Sequence, residues 1–299
     1  MAPIKNVAIA GAAGDLGEVV FAQLVASNKF NITVLRRNGS KSTYPAGTKV
    51  VDVDFESVDS LKAALVGQDA VVSTLASSAL AIQKVLVDAA AAAGVQRFIP
   101  SEFGCDLGNP LTQKLPVFAH KVEVQEHLEQ VAKSSQLSYT LVYNAAFLDW
   151  GLEKNFIFNS SEYKPVIYDS GDVTFTATTL STVVDAIIGV LENPEETKNR
   201  PIFIESIKIT QNQLLALAKQ VAPEKPWEPK HVKLDDIIAV SNARLAQGLF
   251  DAETFVPYLF RAIFDESYGS NFQKTDNELL GLKQATEQDI IDIFKRILN

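Results

Sequence analysis

Three glycines, two arginines and two lysines in this chain have types and spacings that can do chemistry together. Gly11, Gly14 and Gly17 fall three apart in Gly11-Ala12-Ala13-Gly14-Asp15-Leu16-Gly17. Residues 4–10 before them are short, apolar and β-branched, as a buried parallel strand is, and residues 18–26 after them carry no breaker and suit a helix. A strand, a glycine turn and a helix in this order form a phosphate cradle. The first glycine permits the tight turn, the second lets a pyrophosphate approach the backbone, and the third lets the helix pack on the sheet. The helix N-terminus adds unpaired N–H groups and a positive dipole. Gly11, Ala13, Gly14, Asp15, Leu16 and Gly17 are the expected contacts of that cradle.

The basic residues bear on which dinucleotide it would hold. Where an acid at the end of the second strand would bond a ribose 2′-hydroxyl, this chain has Arg36-Arg37, with Lys41 close behind and no Asp or Glu from residue 28 through 47. A carboxylate repels a 2′-phosphate, whereas a guanidinium grips it with two bonds. Arg36, Arg37 and Lys41 therefore predict NADP(H) as the cofactor. The alternative is a solvated turn carrying two chance cations.

Lys121 is the candidate for proton transfer. On a helix, positions 121, 124, 128 and 131 share one stripe, and Val124, Leu128 and Val131 are apolar. Lys121 thus begins a buried stripe near a helix N-terminus, where dipole and desolvation both disfavour its charge. A neutral amine in that position is a general base. The alternative is a snorkelling stem whose ammonium reaches water. His120, His127 and His231 form no ligand set: His120 and His127, seven apart, fall roughly on one helix face but have no third ligand at zinc spacing, so no metal is expected. Cys105 has no base near it in sequence and is not expected to be a nucleophile.

The elements that must position these residues alternate along the first half. Residues 32–35, 49–53, 70–74, 97–100 and 139–143 read as strands; residues 58–65, 79–93 and 117–134 read as helices, with Gly94 capping the second. Strands separated by helices imply an α/β fold with a doubly wound, Rossmann-type parallel sheet. Thr74, Leu75, Ala76 and Ser77 end the fourth strand, Ser101, Glu102 and Phe103 the fifth, and Asn144 the sixth; with Phe147 they are expected around the cofactor. After residue 144 the rhythm changes: helices at 211–220, 234–249 and 252–264 are not followed by clear strands. Residues 1–150 are read as the NADP-binding domain, with a returning segment near 173–205, and 151–299 as a smaller, mostly helical substrate-binding cap packed closely on it. Phe147, Trp150, Phe156, Tyr168 and Phe175 are candidates for an aromatic pocket, ordinary packing being the alternative.

Composition sets the outer bounds. The chain has 299 residues, 47% hydrophobic and 21% charged, which excludes wholesale disorder. A net charge of −9 argues against nonspecific nucleic-acid binding. The single cysteine leaves no internal disulfide, and no apolar run approaches the roughly 20 residues that span a bilayer. The start runs directly into the first strand without room for a signal peptide, so a reducing, cytoplasmic setting is expected.

With these readings in place, Arg97-Phe98-Ile99-Pro100-Ser101-Glu102-Phe103-Gly104 resembles the R-F-[IL]-P-S-E-F-G segment of one known group. This is the isoflavone reductase-like, NmrA-like branch of the atypical short-chain dehydrogenases. The likeness continues at Lys121, 17 residues after Gly104, at Asn144 and Phe147, at Asp185 as a helix start, and at the turn with Asn193-Pro194 and Lys198-Asn199. The chain departs from the family at Ala13, where Thr or Ser is usual, at Asp15, where an aromatic is frequent, and at Val124-Gln125-Glu126, where arginines are frequent. Val117 stands four before Lys121, so the Tyr-x-x-x-Lys pair of the wider superfamily is missing. The resemblance implies an NADPH-dependent reductase acting on a small aromatic or conjugated, phenylpropanoid-like substrate, with Lys121 taking a proton from a phenol. It also admits a nonenzymatic, NADP(H)-binding regulator that reports the dinucleotide ratio to a partner protein.

Overall fold

The computed structural model describes residues 2–298, apart from the side chains of Ser77 and Ser78. The glycine turn lies between β1 (Asn6–Ala10) and α1 (Asp15–Ala26). The chain continues through β2 (Asn31–Arg37), β3 (Lys49–Val53), α2 (Val58–Leu65) and β4 (Ala70–Ser73). Then come α3 (Gln83–Ala92), β5 (Arg97–Ile99), the single turn α4 (Pro110–Gln113), α5 (Ala119–Ser134) and β6 (Ser138–Tyr143). Strands and helices fall close to where the residue patterns place them, with two refinements. The helix expected from residue 79 starts as a 3-10 turn, Ser77–Ile82, and becomes α-helical only at Gln83. The helix expected from 117 likewise begins as a 3-10 turn led by Pro116, whose fixed φ suits a first turn.

After β6 come β7 (Ala146–Phe147), α6 (Leu148–Glu153), β8 (Val166–Tyr168) and β9 (Phe175–Thr178). They are followed by α7 (Leu180–Glu192), β10 (Arg200–Phe203), β11 (Ile207–Ile209) and α8 (Gln211–Val221). β12 (Lys230–Val232), α9 (Leu234–Ala246), α10 (Ala252–Phe264) and α11 (Glu287–Leu298) complete the chain. This half thus contains strands where none was clear in the sequence. β10 joins the main sheet beside β6, while β11-β9-β7 and β12-β8 form small sheets of their own. Asp185 is not a helix start. α7 begins five residues earlier, at Leu180, where the Thr179 hydroxyl accepts the Thr182 N–H.

The main sheet has the order β10-β6-β5-β4-β1-β2-β3, with every pair parallel. Its apolar residues alternate between faces. Val7, Ile9, Val34, Val72 and Val142 meet α1 and α7, and Ala8, Ala10, Leu35, Val71 and Phe98 meet α2, α3 and α5. Helices on both faces explain why β1 and β4 are apolar on both sides. β1 lies between β2 and β4, so the connections run in opposite directions on its two sides. In open α/β sheets that switch point opens a crevice at the carboxyl ends of the strands, where ligands bind. Among the described residues, no helix is long and apolar enough to cross a membrane.

Candidate active site

The glycine turn occupies this crevice. Gly11 has φ +92°, and a Cβ there would lie 2.6 to 2.9 Å from backbone atoms of Thr74 and Leu75. A Cβ on Gly17 would lie 2.0 Å from the Gly11 carbonyl oxygen. Both glycines are therefore imposed by the chain's own packing. Gly14 is not: its φ is −90° and its nearest contact would be an ordinary 3.6 Å. That clearance leaves the Gly14 backbone open to a group from outside the fold. No side chain caps α1, so its first N–H groups are open to an anion. The cradle fits a pyrophosphate. Ala13 and Asp15 are exposed on it, and Leu16 is half-buried. The indole N–H of Trp150 in α6 donates to Asp15 Oδ2 at 2.7 Å.

At the far end of β2 the register sets Arg36 beside Asp52 of β3. Arg36 donates from Nε to Asp52 Oδ1 at 2.6 Å, from Nη2 to Oδ2 at 2.9 Å, and from Nη1 to the Ser42 carbonyl at 3.0 Å. That fork holds the Asp52 carboxyl below the usual carboxylate range and raises the arginine. Arg37 and Lys41 are exposed nearby in sequence. Tyr44 anchors the loop between the strands by its edge contact with Phe21, centroids 5.5 Å apart.

The ends of β4 and β5 are tied together. Thr74 is buried and donates its N–H to the Ala10 carbonyl at 2.8 Å. The Ser101 hydroxyl donates to the Leu75 carbonyl at 2.7 Å, and the Ser101 N–H to Gln83 Oε1 at 2.8 Å. Ala76 is exposed, and the side chain of Ser77 lies outside the described residues. Beyond them Phe103, buried, has φ +26°, a conformation that costs a non-glycine residue energy and occurs where surrounding structure imposes it. The Gly104 carbonyl accepts the N–H groups of Asn144 and Ala145, pinning this loop to the end of β6.

Lys121 stands in the first turn of α5, half-buried, and its Nζ donates to the Glu102 carbonyl. The Glu102 side chain is fully enclosed. Burial pushes its carboxyl up, opposed by Lys121 and Gln125, and Oε1 has no hydrogen-bond partner. Gln125, one turn along α5, donates to the Tyr143 hydroxyl at 2.9 Å, and burial raises that phenol too. Cys105 is buried, its thiol pushed up to about 12 by desolvation. Asn144 is fully buried with Oδ1 unpartnered, and Phe147, three residues on, is half-buried. A primary amine, a buried carboxyl and two unsatisfied oxygens thus gather where β5 and β6 end.

Several of these residues were not singled out from the sequence. Gln125 was open to discovery, since it lies four after Lys121 on the same helix. Asp52, Tyr143 and the Trp150 contact depend on strand register and chain return, which local spacing does not encode. Arg97 also differs from its neighbours in the motif. It is buried and donates to Ser138, Thr140, Thr197 and the Pro194 carbonyl, so it ties β5, β6 and the turn after α7.

The aromatic candidates separate in two. Phe147, Trp150, Phe156, Phe260, Tyr168 and Phe264 form a row with neighbouring centroids 4.9 to 6.3 Å apart. Phe175 is fully buried edge-on against Phe264, a core position rather than a pocket wall. Cavities of about 230 and 250 Å³ open elsewhere, beside Tyr163 and beside Asp172; neither is lined by Lys121 or the glycine turn. On α5, His127 pairs with Asp88 and His120 lies 3.8 Å from Glu123.

Comparison with known proteins shows the family and the fold. The model of the NmrA-like family matches residues 3–238. The Oxidoreductase aprR of Aspergillus flavus is 34% identical over 96% of this chain and 97% of its own. The leucoanthocyanidin reductase of Vitis vinifera in complex with NADPH shares the fold with a TM-score of 0.80, at 19% identity over 97% of this chain and 99% of that one. AtPrR2 with NADP+ and (+)pinoresinol does so at 0.79, with 20% identity over 99% of this chain and 100% of that one. With its glycine turn, its R-F-I-P-S-E-F-G loop and this match over most of its length, the chain belongs to the NmrA-like family.

Proposed function

We propose that this protein is an NADPH-dependent oxidoreductase that passes hydride to a small aromatic or conjugated substrate, with Lys121 as general base. The observation that carries the reading is the half-buried Lys121 amine, fixed on the Glu102 carbonyl at the carboxyl ends of β5 and β6. That is the side of the sheet on which the glycine turn opens its cradle. Relatives named as oxidoreductases and a structural neighbour holding pinoresinol support the reaction and substrate class.

In this reading, Gly11, Gly14 and Gly17 with the N–H groups of α1 bind the pyrophosphate. Arg36, Arg37 and Lys41 bind the 2′-phosphate. Thr74, Leu75 and Ala76 flank the middle of the dinucleotide, and Ser101, Glu102, Phe103, Asn144 and Phe147 border its nicotinamide end. NADPH supplies the hydride when bound. Lys121 takes a proton from a substrate phenol; the released electron pair expels an ether or ester oxygen from the conjugated carbon, and that oxygen leaves with a proton from solvent. The carbon so opened accepts hydride, which restores the phenolate electron pair, and Lys121 returns its proton to the phenolate oxygen. The half-buried aromatic row from Phe147 to Tyr168 offers flat apolar surface to such a substrate. Residues 1–150 and a return through 173–205 form the cofactor half in this proposal, and the remainder forms the cap.

The test is NADPH oxidation against phenylpropanoid ethers, enones and quinones. Turnover of at least one class is expected. Discrimination between NADP+ and NADPH without turnover of any of them would mark a redox-sensing regulator instead.

A further inference from the structure

We propose that Asp52 is a positioning residue for cofactor choice, locking Arg36 so that a 2′-phosphate meets a prearranged guanidinium. The proposal rests on the assignment of Arg36 to the 2′-phosphate and deepens it.

The lock begins in the backbone. Parallel pairing of β2 with β3 sets Arg36 opposite Asp52, so both side chains leave the sheet together at its carboxyl edge. The carboxylate takes two N–H groups side by side, at 2.6 and 2.9 Å, and the Ser42 carbonyl takes a third at 3.0 Å. A guanidinium carries five N–H groups in one plane. Three are engaged, and one remains on each of Nη1 and Nη2. Those two form the part of the fork that stays available to a phosphate. A long side chain held at three points has already lost the rotamer freedom that binding would otherwise remove.

Asp52 also carries a negative charge, which acts against a phosphate. Two observations make the ordering effect the larger one. The Asp52 side chain is 50% exposed, so water screens it, whereas the phosphate touches the guanidinium directly. Arg37 and Lys41, both exposed, follow Arg36 closely in the chain and add two positive charges to the segment that leaves β2. An oxygen pair committed to Arg36 is also poorly placed to accept from a ribose 2′-hydroxyl, the contact by which an acid here would favour NAD(H). Asp52 therefore works through Arg36 and not on the cofactor.

The experiment is titration of NADPH and NADH into the wild-type protein, Arg36→Ala, Asp52→Ala, Asp52→Asn and the double variant Arg36→Ala/Asp52→Ala. Arg36→Ala is expected to weaken NADPH by about a hundredfold and NADH by less than about twofold. Both Asp52 variants are expected to weaken NADPH by about fivefold to tenfold, again sparing NADH. The double variant should bind NADPH no more weakly than Arg36→Ala alone, because a residue acting only through Arg36 has nothing left to position. Unchanged or tighter NADPH binding in Asp52→Asn, or additive losses in the double variant, would overturn the proposal. Retained NADPH affinity in Arg36→Ala would instead remove the 2′-phosphate assignment beneath it, and the two failures are read from separate proteins.

Discussion

The indole N–H of Trp150 bonds the carboxylate of Asp15, so the first residue of α1 is held by the short helix that follows β7. The same indole lies against Phe147 and Phe156. One side chain thus joins the phosphate cradle to the aromatic row. Asp15 begins α1, whose first N–H groups carry no side-chain cap, and the Trp150 bond directs its carboxylate toward α6.

Trp150→Phe keeps a ring in the row and deletes the bond. The released Asp15 then competes with the pyrophosphate, and a lost hydrogen bond of about 1 kcal/mol corresponds to about fivefold weaker binding. NADPH and NADH should weaken by the same factor, since both carry the pyrophosphate. Titration with the two cofactors checks this, and a loss confined to NADPH contradicts it.

Gly14 and Gly17 separate binding from folding. A Cβ at Gly17 would collide with the Gly11 carbonyl at 2.0 Å, so Gly17→Ala should lose about 3 kcal/mol of stability or fail to accumulate folded. At Gly14 the nearest contact is 3.6 Å, and Gly14→Ala should unfold within about 1 kcal/mol of the wild type while binding NADPH at least about tenfold more weakly. Denaturant unfolding and cofactor titration on the two variants distinguish these outcomes.

Glu102 should leave a mark on the pH dependence of stability. Its carboxyl is raised by burial, so the protonated form is favoured in the folded state. The stabilising contribution of that proton is complete below the unfolded value of about 4.3 and is lost as pH rises through the higher folded value. Glu102→Gln, which stays neutral, should therefore gain in Tm over the wild type at pH 8 and lose that advantage toward pH 4. An advantage independent of pH contradicts the assignment.

Cys105 should be inert in the folded protein. Its thiol is buried and pushed up to about 12, so almost no thiolate exists near neutrality. A disulfide reagent at pH 8 should react only as fast as the protein opens. Immediate stoichiometric labelling of the native protein would show that the thiol is reachable.

Much of the first half was legible because its strands and helices alternate without interruption. The bounds read for 49–53 and 58–65 are those observed, and the stripe expected to follow Lys121 near the helix N-terminus is buried at Val124 and Leu128 and half-buried at Val131. The second half was less legible for a physical reason. β7 to β12 are two to four residues long, too short to show a period of two, and they pair across long stretches of chain. The start of α7, where the Thr179 hydroxyl caps Thr182, is hard to read because a threonine N-cap signals a helix start less distinctly than the acid Asp185 five residues inside the helix. At the candidate site, the arginine was readable but its partner was not. Asp52 is 16 residues from Arg36 in sequence, and only the β2–β3 register reveals that they meet.

Lys121→Met tests the central claim most directly, with NADPH affinity and turnover measured on one preparation. The account predicts NADPH affinity within about twofold of the wild type and turnover reduced at least about a hundredfold, the size of a lost general base. Turnover retained at the wild-type rate would contradict it.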